Sequence, residues 1–180
     1  FVIATGSGPF VPPIPGLDST PYFINETVFN QTSIADHLIV LGGGPIGVEL
    51  AQAHRQLGAK VTLLEMASIL PNDDPEAVQV VRDQLIKEGL DLREGVKVVG
   101  TAKTETGIEV TVETDAGSEA ISGSHLLIAA GRRPHLSGLD LEKAGIDFTP
   151  QGISVDARLR TSNKKIFAIG DVAGGHQFTH

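Results

Sequence analysis

The run HLIVLGGGPIGVELAQAHRQLGAKVTLLE, residues 37–65, constrains the fold more than any other stretch of this chain. Residues 37–41 are almost continuously apolar, as a strand buried on both faces must be. Three glycines and Pro45 then make a tight turn, after which Ile46, Leu50, Ala53 and Leu57 recur at helical spacing and predict the apolar face of a helix. Gly58 closes that helix and Lys60–Glu65 reads as a second strand, so the unit is strand, helix, strand with parallel pairing.

Further along, Asp74 is placed to cap a second helix that has Pro75 at its first position. Val78, Val81 and Leu85 form its apolar face, Gly89 stops it, and residues 90–92 predict a third short strand. The period then changes from helical to alternating over residues 97–114, around Thr106-Gly107, which predicts an antiparallel hairpin or meander with one solvated face. HLLIAAG (residues 125–131) and KIFAIGD (residues 165–171) read as strands, with a weakly periodic loop between them. IATGSGP (residues 3–9) and IAAGRRP (residues 128–134) echo each other as Ile-Ala-x-Gly-x-x-Pro.

Composition narrows the chemistry. At 180 residues and 41% hydrophobic side chains the chain can bury one well-packed core, and no apolar run approaches the ~20 residues of a membrane span. The net charge of −8, with basic pairs only at Arg132-Arg133 and Lys164-Lys165, argues against a nucleic-acid partner. Zero cysteines exclude disulfides, thiolate metal sites and thiol redox chemistry by these residues. The histidines 37, 54, 125, 135, 176 and 180 lack metal-ligand spacing and read as structural or exposed. No Gly-x-Ser-x-Gly occurs, and Tyr22 has no Lys four residues on.

The glycine turn fits G-x-G-x-x-G in the context that gives the spacing meaning, between a strand and a helix and ahead of an acid-ended strand. Gly42 permits the sharp turn, Gly44 lets a pyrophosphate approach the backbone, and Gly47 lets the helix pack on the sheet. The helix start offers unpaired N–H groups and the positive end of its dipole to phosphates. Glu65, about 20 residues beyond the turn, is placed to accept the ribose hydroxyls. A carboxylate there repels a 2′-phosphate, and residues 66–72 contain no Arg or Lys, so NAD is preferred over NADP. The simplest reading of Glu49 is a first-turn acid on the helix dipole, and of Asp171 a turn residue closing a strand.

Taken as an ordered set, residues 37–65, LLIAAGRRP and RTSNKKIFAIGDVAGG resemble the pyridine-nucleotide–disulfide oxidoreductases, in particular the dihydrolipoamide dehydrogenase and mercuric reductase branch. The fold this implies is α/β: a Rossmann-like βαβ dinucleotide-binding domain with a parallel sheet and an antiparallel β-meander insertion, flanked by partial FAD-domain segments. Residues 1–15 would end the first FAD segment, 16–36 connect, 37–133 form the NAD-binding domain and 134–180 return to the FAD domain. By the same resemblance Ile46 and Glu49 lie near the nicotinamide, Val98 against the adenine, and Gly131 at the close approach of a second strand-turn. Asp171 matches the acid that hydrogen-bonds the flavin ribitol.

The resemblance implies a cytoplasmic homodimeric flavoprotein that passes a hydride from NADH to FAD and on to a disulfide-type acceptor. In the family the redox cysteine pair and the partner His and Glu lie outside the stretch matched here, and the usual Asn after Gly-Arg-x-Pro is His135. Phe1 opens on a strand without an initiator Met, and the chain stops nine residues after Asp171, so both ends are expected to be cuts. The Asp171 carboxylate is accordingly expected to be idle and exposed, and the chain alone to bind NAD(H) without turnover. A flavin reductase without the dithiol, of the NADH oxidase or ferredoxin-reductase type, and a non-catalytic NAD-binding module are the alternatives. The closing IFAIGDV motif and the hairpin insertion weigh against a Rossmann methyltransferase.

Overall fold

The computed structural model describes residues 1–114 and 117–175, so His176 and His180 lie outside the described residues. The chain divides into two compact units, residues 11–131 and residues 1–10 with 132–180.

In the larger unit the predicted strand, helix, strand run forms as β1 (His37–Leu41), α1 (Pro45–Gln56) and β2 (Lys60–Leu64). Helix α2 (Pro75–Lys87) follows, its first turn capped by the Asp74 carboxylate, which accepts from the amides of Glu76 at 2.9 Å and Ala77 at 3.4 Å. Strand β3 is Asp91–Arg93, one residue later than the sequence suggests. The chain then makes three antiparallel strands, β4 (Lys97–Lys103), β5 (Ile108–Thr114) and β6 (Gly117–Gly123), before β7 (His125–Ile128) returns to the parallel sheet.

The parallel sheet has the order β3-β2-β1-β7. Strand β1 therefore lies inside it, and its residues alternate between two cores. Leu38 and Val40 pack with Val48, Ala51, Val78 and Leu85 of the helices, while Ile39 and Leu41 pack with Ile108, Val110 and Val112 of the meander. This two-sided burial is why the sequence of β1 carries no alternation. Strand β5 alternates clearly, because only one of its faces is covered. Strand β6 escapes sequence reading for a related reason: at the meander edge only Ile121 is buried, so GSEAISG carries no apolar rhythm.

Helix α1 departs from its predicted orientation. Ala53 and Leu57 are exposed and Ile46 and Leu50 only half-buried, whereas Gly47, Val48 and Ala51 form the buried face. The helix is turned so that Gly47, Val48 and Ala51 meet the sheet, with Leu50 packed at the margin of that face. Closeness of approach outweighs apolar area here, for a reason given by the glycine turn below.

The smaller unit has short pairings: residues 2–3 with 167–168 in parallel, 7–9 with 132–134 antiparallel, and 148–149 with 152–153. Leu141, Ile146, Ile153, Ala168 and Val172 form its core. The echoed segments thus end as paired strands, with Ser7 opposite Pro134 and Pro9 opposite Arg132. At His135 the corner is closed by backbone groups: its N–H donates to Gly6 O at 2.9 Å and its carbonyl accepts from Thr5 Oγ1 at 2.9 Å.

A polar chain crosses the larger unit's parallel sheet at the starts of β1 and β3. The hydroxyl of fully buried Thr62 donates to Asp91 Oδ2 at 3.1 Å and accepts from His37 Nε2–H at 2.9 Å. Burial, and secondarily the charge of Lys60, lower the pKa of His37 below its ordinary 6.5. Protonation therefore favours the unfolded chain, so this contribution to stability is complete above that value and is lost as pH falls through the folded pKa. The urea midpoint is expected to be lower at about pH 5.5 than at about pH 7.5, and His37→Gln is expected to shrink the difference. An unchanged difference in the variant would assign the effect to other groups.

Candidate dinucleotide-binding site

The glycine turn sits where the sheet order reverses. From β1 the chain winds outward through β2 to β3, then crosses to β7 on the other side of β1, so the ends of β1 and β7 flank a switch point. In open α/β sheets ligands bind at such points, beyond the carboxyl ends of the strands. The amide of Ala129 donates to Leu41 O at 2.8 Å and draws the two strand ends together.

The glycines of the motif are constrained in different ways. Gly42 has φ +112°, and a Cβ there would lie 2.3 Å from Ala129 O. A Cβ on Gly47 would lie 1.9 Å from Gly42 O, so the helix touches the turn backbone to backbone. That contact explains the orientation of α1, since a Leu or Ile at position 47 would push the helix off the sheet. Gly44 differs: its φ of −72° suits any residue, and a Cβ there would meet nothing within 4 Å. Neither backbone conformation nor packing requires glycine at position 44. The space its missing side chain leaves lies at the N-terminus of α1, where the first amides have no helix carbonyl to bond.

Glu65 follows β2 and turns back onto this corner. Its Oε2 accepts from the Gly43 amide at 2.7 Å and its Oε1 from the Ala67 amide at 2.9 Å. A Cβ on Gly43 would fall 2.8 Å from Ile69 Cγ2 and 3.0 Å from Glu65 Cγ, so a side chain at the middle glycine would displace Ile69 or Glu65. Sequence reasoning missed Gly43, whose only signal was the unbroken row of three glycines. The amide of Val96 donates to Glu65 O at 3.1 Å, which leaves Val98 half-buried two residues further along, packed on the meander core. Ile46 is half-buried and Glu49 exposed on α1. Gly131, with φ +112° and open space where a Cβ would stand, ends the unit beyond β7.

Asp171 belongs to the smaller unit, in the 3-10 turn Gly170–Ala173. The expectation of an idle, exposed carboxylate is wrong. Asp171 is half-buried and its Oδ2 accepts from Ser7 Oγ at 2.5 Å. Arg132 in turn donates from Nε to Ser7 Oγ at 2.8 Å and from Nη2 to Ser7 O at 2.8 Å, with its Nε 3.9 Å from Asp171 Oδ2. Hydrogen bonds to charged groups contribute roughly 1.5–3 kcal/mol each. The antiparallel pairing of residues 7–9 with 132–134 assembles this network from residues far apart in sequence. The sequence held only the echo as a hint of it.

No helix among the described residues is long and apolar enough to cross a membrane. Among the same residues, no group of three or more His, Cys, Asp or Glu could hold a metal ion.

A parallel sheet with a glycine turn at its switch point, an open helix N-terminus and an acid-ended second strand defines a Rossmann-type α/β protein. Residues 1–180 match the family model of pyridine nucleotide-disulphide oxidoreductases, and the chain belongs to that family. It is 43% identical to dihydrolipoyl dehydrogenase of Thermus scotoductus over 96% of its own length and 38% of the relative's. Mercuric reductase of Streptomyces lividans is 35% identical over 100% of this chain and 38% of its own. Among solved structures, the HOCl-induced flavoprotein disulfide reductase RclA from Escherichia coli superposes with a TM-score of 0.88 at 38% identity, covering 99% of this chain and 41% of that one. The chain thus spans about two fifths of the length of the curated relatives it matches.

Gly47→Ala is expected to cost more than about 2 kcal/mol, because neither the Gly42 carbonyl nor the helix backbone can move aside without opening the turn. Equilibrium urea denaturation measures this. A loss below about 0.5 kcal/mol, the range of ordinary surface substitutions, would show that the contact relaxes freely.

Proposed function

We propose that this chain is the NAD(H)-binding portion of an FAD-dependent oxidoreductase that transfers a hydride from NADH to flavin and then to a disulfide-type acceptor. The observation that carries this reading is the Glu65 carboxylate, bound to the Gly43 amide beside the open face of Gly44. The residues present fit a dinucleotide. Gly42, Gly44 and Gly47 would hold the pyrophosphate, with the first amides of α1 as donors. Glu65 would hold the adenosine ribose, since each oxygen of a carboxylate accepts two hydrogen bonds, and here Oε2 accepts from the Gly43 amide and Oε1 from the Ala67 amide. Val98 would lie against the adenine, Ile46 and Glu49 on the nicotinamide side, and Gly131 at the close approach from β7.

The same carboxylate, with no Arg or Lys in residues 66–72, supports NAD over NADP. In this reading residues 37–133 serve as the NAD domain, 16–36 as its connector, and 1–15 and 134–180 as parts of a flavin domain. Asp171, already set in place by Ser7 and Arg132, would accept from a ribityl hydroxyl. Bound flavin supplies the two-electron chemistry, and the protein's part is position and electrostatics. A cytoplasmic homodimer completes the reading.

Fluorescence titration tests it. NADH is expected to bind at least about tenfold tighter than NADPH, a difference of about 1.4 kcal/mol. Gly44→Ala is expected to keep the wild-type urea midpoint and weaken NADH by about tenfold or more, because the new methyl occupies the space left for the pyrophosphate. Residues 1–180 alone are expected to reduce neither lipoamide nor a dye with NADH. Tighter NADPH binding would overturn the cofactor preference, turnover by the chain alone would overturn the assignment of roles, and an unaffected Gly44→Ala would remove the turn from the site.

A further inference from the structure

Between β2 and α2, residues 65–74 fold back across the glycine turn. One side of this loop is fixed by Gly43, whose N–H donates to Glu65 Oε2 at 2.7 Å and whose carbonyl accepts from the Leu70 amide at 2.9 Å. Ile69 is fully buried beneath the same glycine. Leu70 has φ +48°, a conformation that a bulky L-residue holds only when its surroundings impose it. The loop is therefore held closed against its own backbone preference.

The other side is held by a side chain with no place in the dinucleotide reading. Glu94 follows β3, and its Oε1 accepts from the Ile69 amide at 2.7 Å and from Arg82 Nη2 at 2.9 Å. Its Oε2 accepts from Arg82 Nε at 2.8 Å, which makes the pairing with α2 bidentate. The Arg82 hydrogen bond holds the Glu94 carboxyl below the usual carboxylate range, and Glu94 in return raises Arg82. The pair is thus ionised throughout the neutral range. Because Glu65 N–H donates to Arg93 O at 2.9 Å, Glu65 and Glu94 leave neighbouring strands at the same level. One carboxylate grips the near end of the loop and the other its middle.

We propose that Glu94, clamped by Arg82, is a positioning residue for Glu65: by fixing the Ile69 amide it sets the 65–70 loop, and through it dinucleotide affinity and the preference for a free 2′-hydroxyl. The inference rests on Glu65 being the ribose ligand. A purely structural tie between α2 and the sheet would instead lower stability and leave binding unchanged.

The test is a double-mutant cycle on the whole chain, titrated with NADH, NADPH and reduced nicotinamide mononucleotide, which lacks the adenosine half. Glu94→Ala is expected to weaken NADH on the order of tenfold, the low end of the scale seen when the partner of a metal-ligating side chain is removed, with a smaller loss for NADPH. Arg82→Met, which leaves the Ile69 amide its acceptor, is expected to act in the same direction with smaller size, and it serves if Glu94→Ala does not fold. Mononucleotide binding is expected to stay the same in every variant. In a Glu65→Gln background Glu94→Ala is expected to add nothing further, since groups that act as one unit are not additive. Unchanged NADH binding by folded Glu94→Ala or Arg82→Met overturns the inference, as does full additivity with Glu65→Gln or weakened mononucleotide binding. If Glu65→Gln alone binds NADH like the wild type, the ribose assignment itself fails.

Discussion

The contact of helix α1 with the turn before it governs the larger unit. With Gly47 against the Gly42 carbonyl, no side chain stands between helix and sheet, and the helix N-terminus comes down onto the end of β1. Moving the helix out by the thickness of one methyl would lift the first-turn amides away from the strand ends of β1 and β7. It would also expose Leu38 and Val40, which rely on Val48 and Ala51 for cover. The turn is thus both the packing hinge of the sheet and the wall of the candidate site, and a single backbone contact serves both.

Two carboxylates, one in each unit, are held by hydrogen bonds rather than left to solvent. Glu65 is held by two N–H groups and Asp171 by a hydroxyl that an arginine holds in turn. Neither carboxylate has to move to find a partner when a ligand arrives. Preorganisation of this kind reduces the ordering that binding would otherwise demand. It also explains why neither residue needs a strongly polar neighbourhood in sequence: their partners come from a glycine turn, a β-pairing and a loop.

Much of the fold was legible because several signals agreed. The apolar run of β1, Asp74 and Pro75 at the start of α2, and the alternation of β5 each reflect a local rule that the tertiary structure left intact. The face of α1 was misread because periodicity follows apolar residues, and this helix is seated at Gly47, with Val48 and Ala51 beside it. Strand β6 was missed because an edge strand with one buried residue has no pattern to show. In the larger unit the motif glycines and Glu65 stood out by spacing but Gly43 and Glu94 did not, and in the smaller unit Ser7 and Arg132 did not. What they do depends on partners 22, 25, 164 and 125 residues away.

The sequence by itself determined the parallel βαβ core, the turn chemistry at Gly42 and the acid at the end of β2, since each follows from a residue and its near neighbours. The tertiary structure alone decided how closely α1 approaches the sheet, which amide orients Glu65, and that Asp171 is held by Ser7 rather than left to solvent. Those outcomes depend on distances of a few ångströms between strands and loops remote in the chain, and no local pattern encodes such distances.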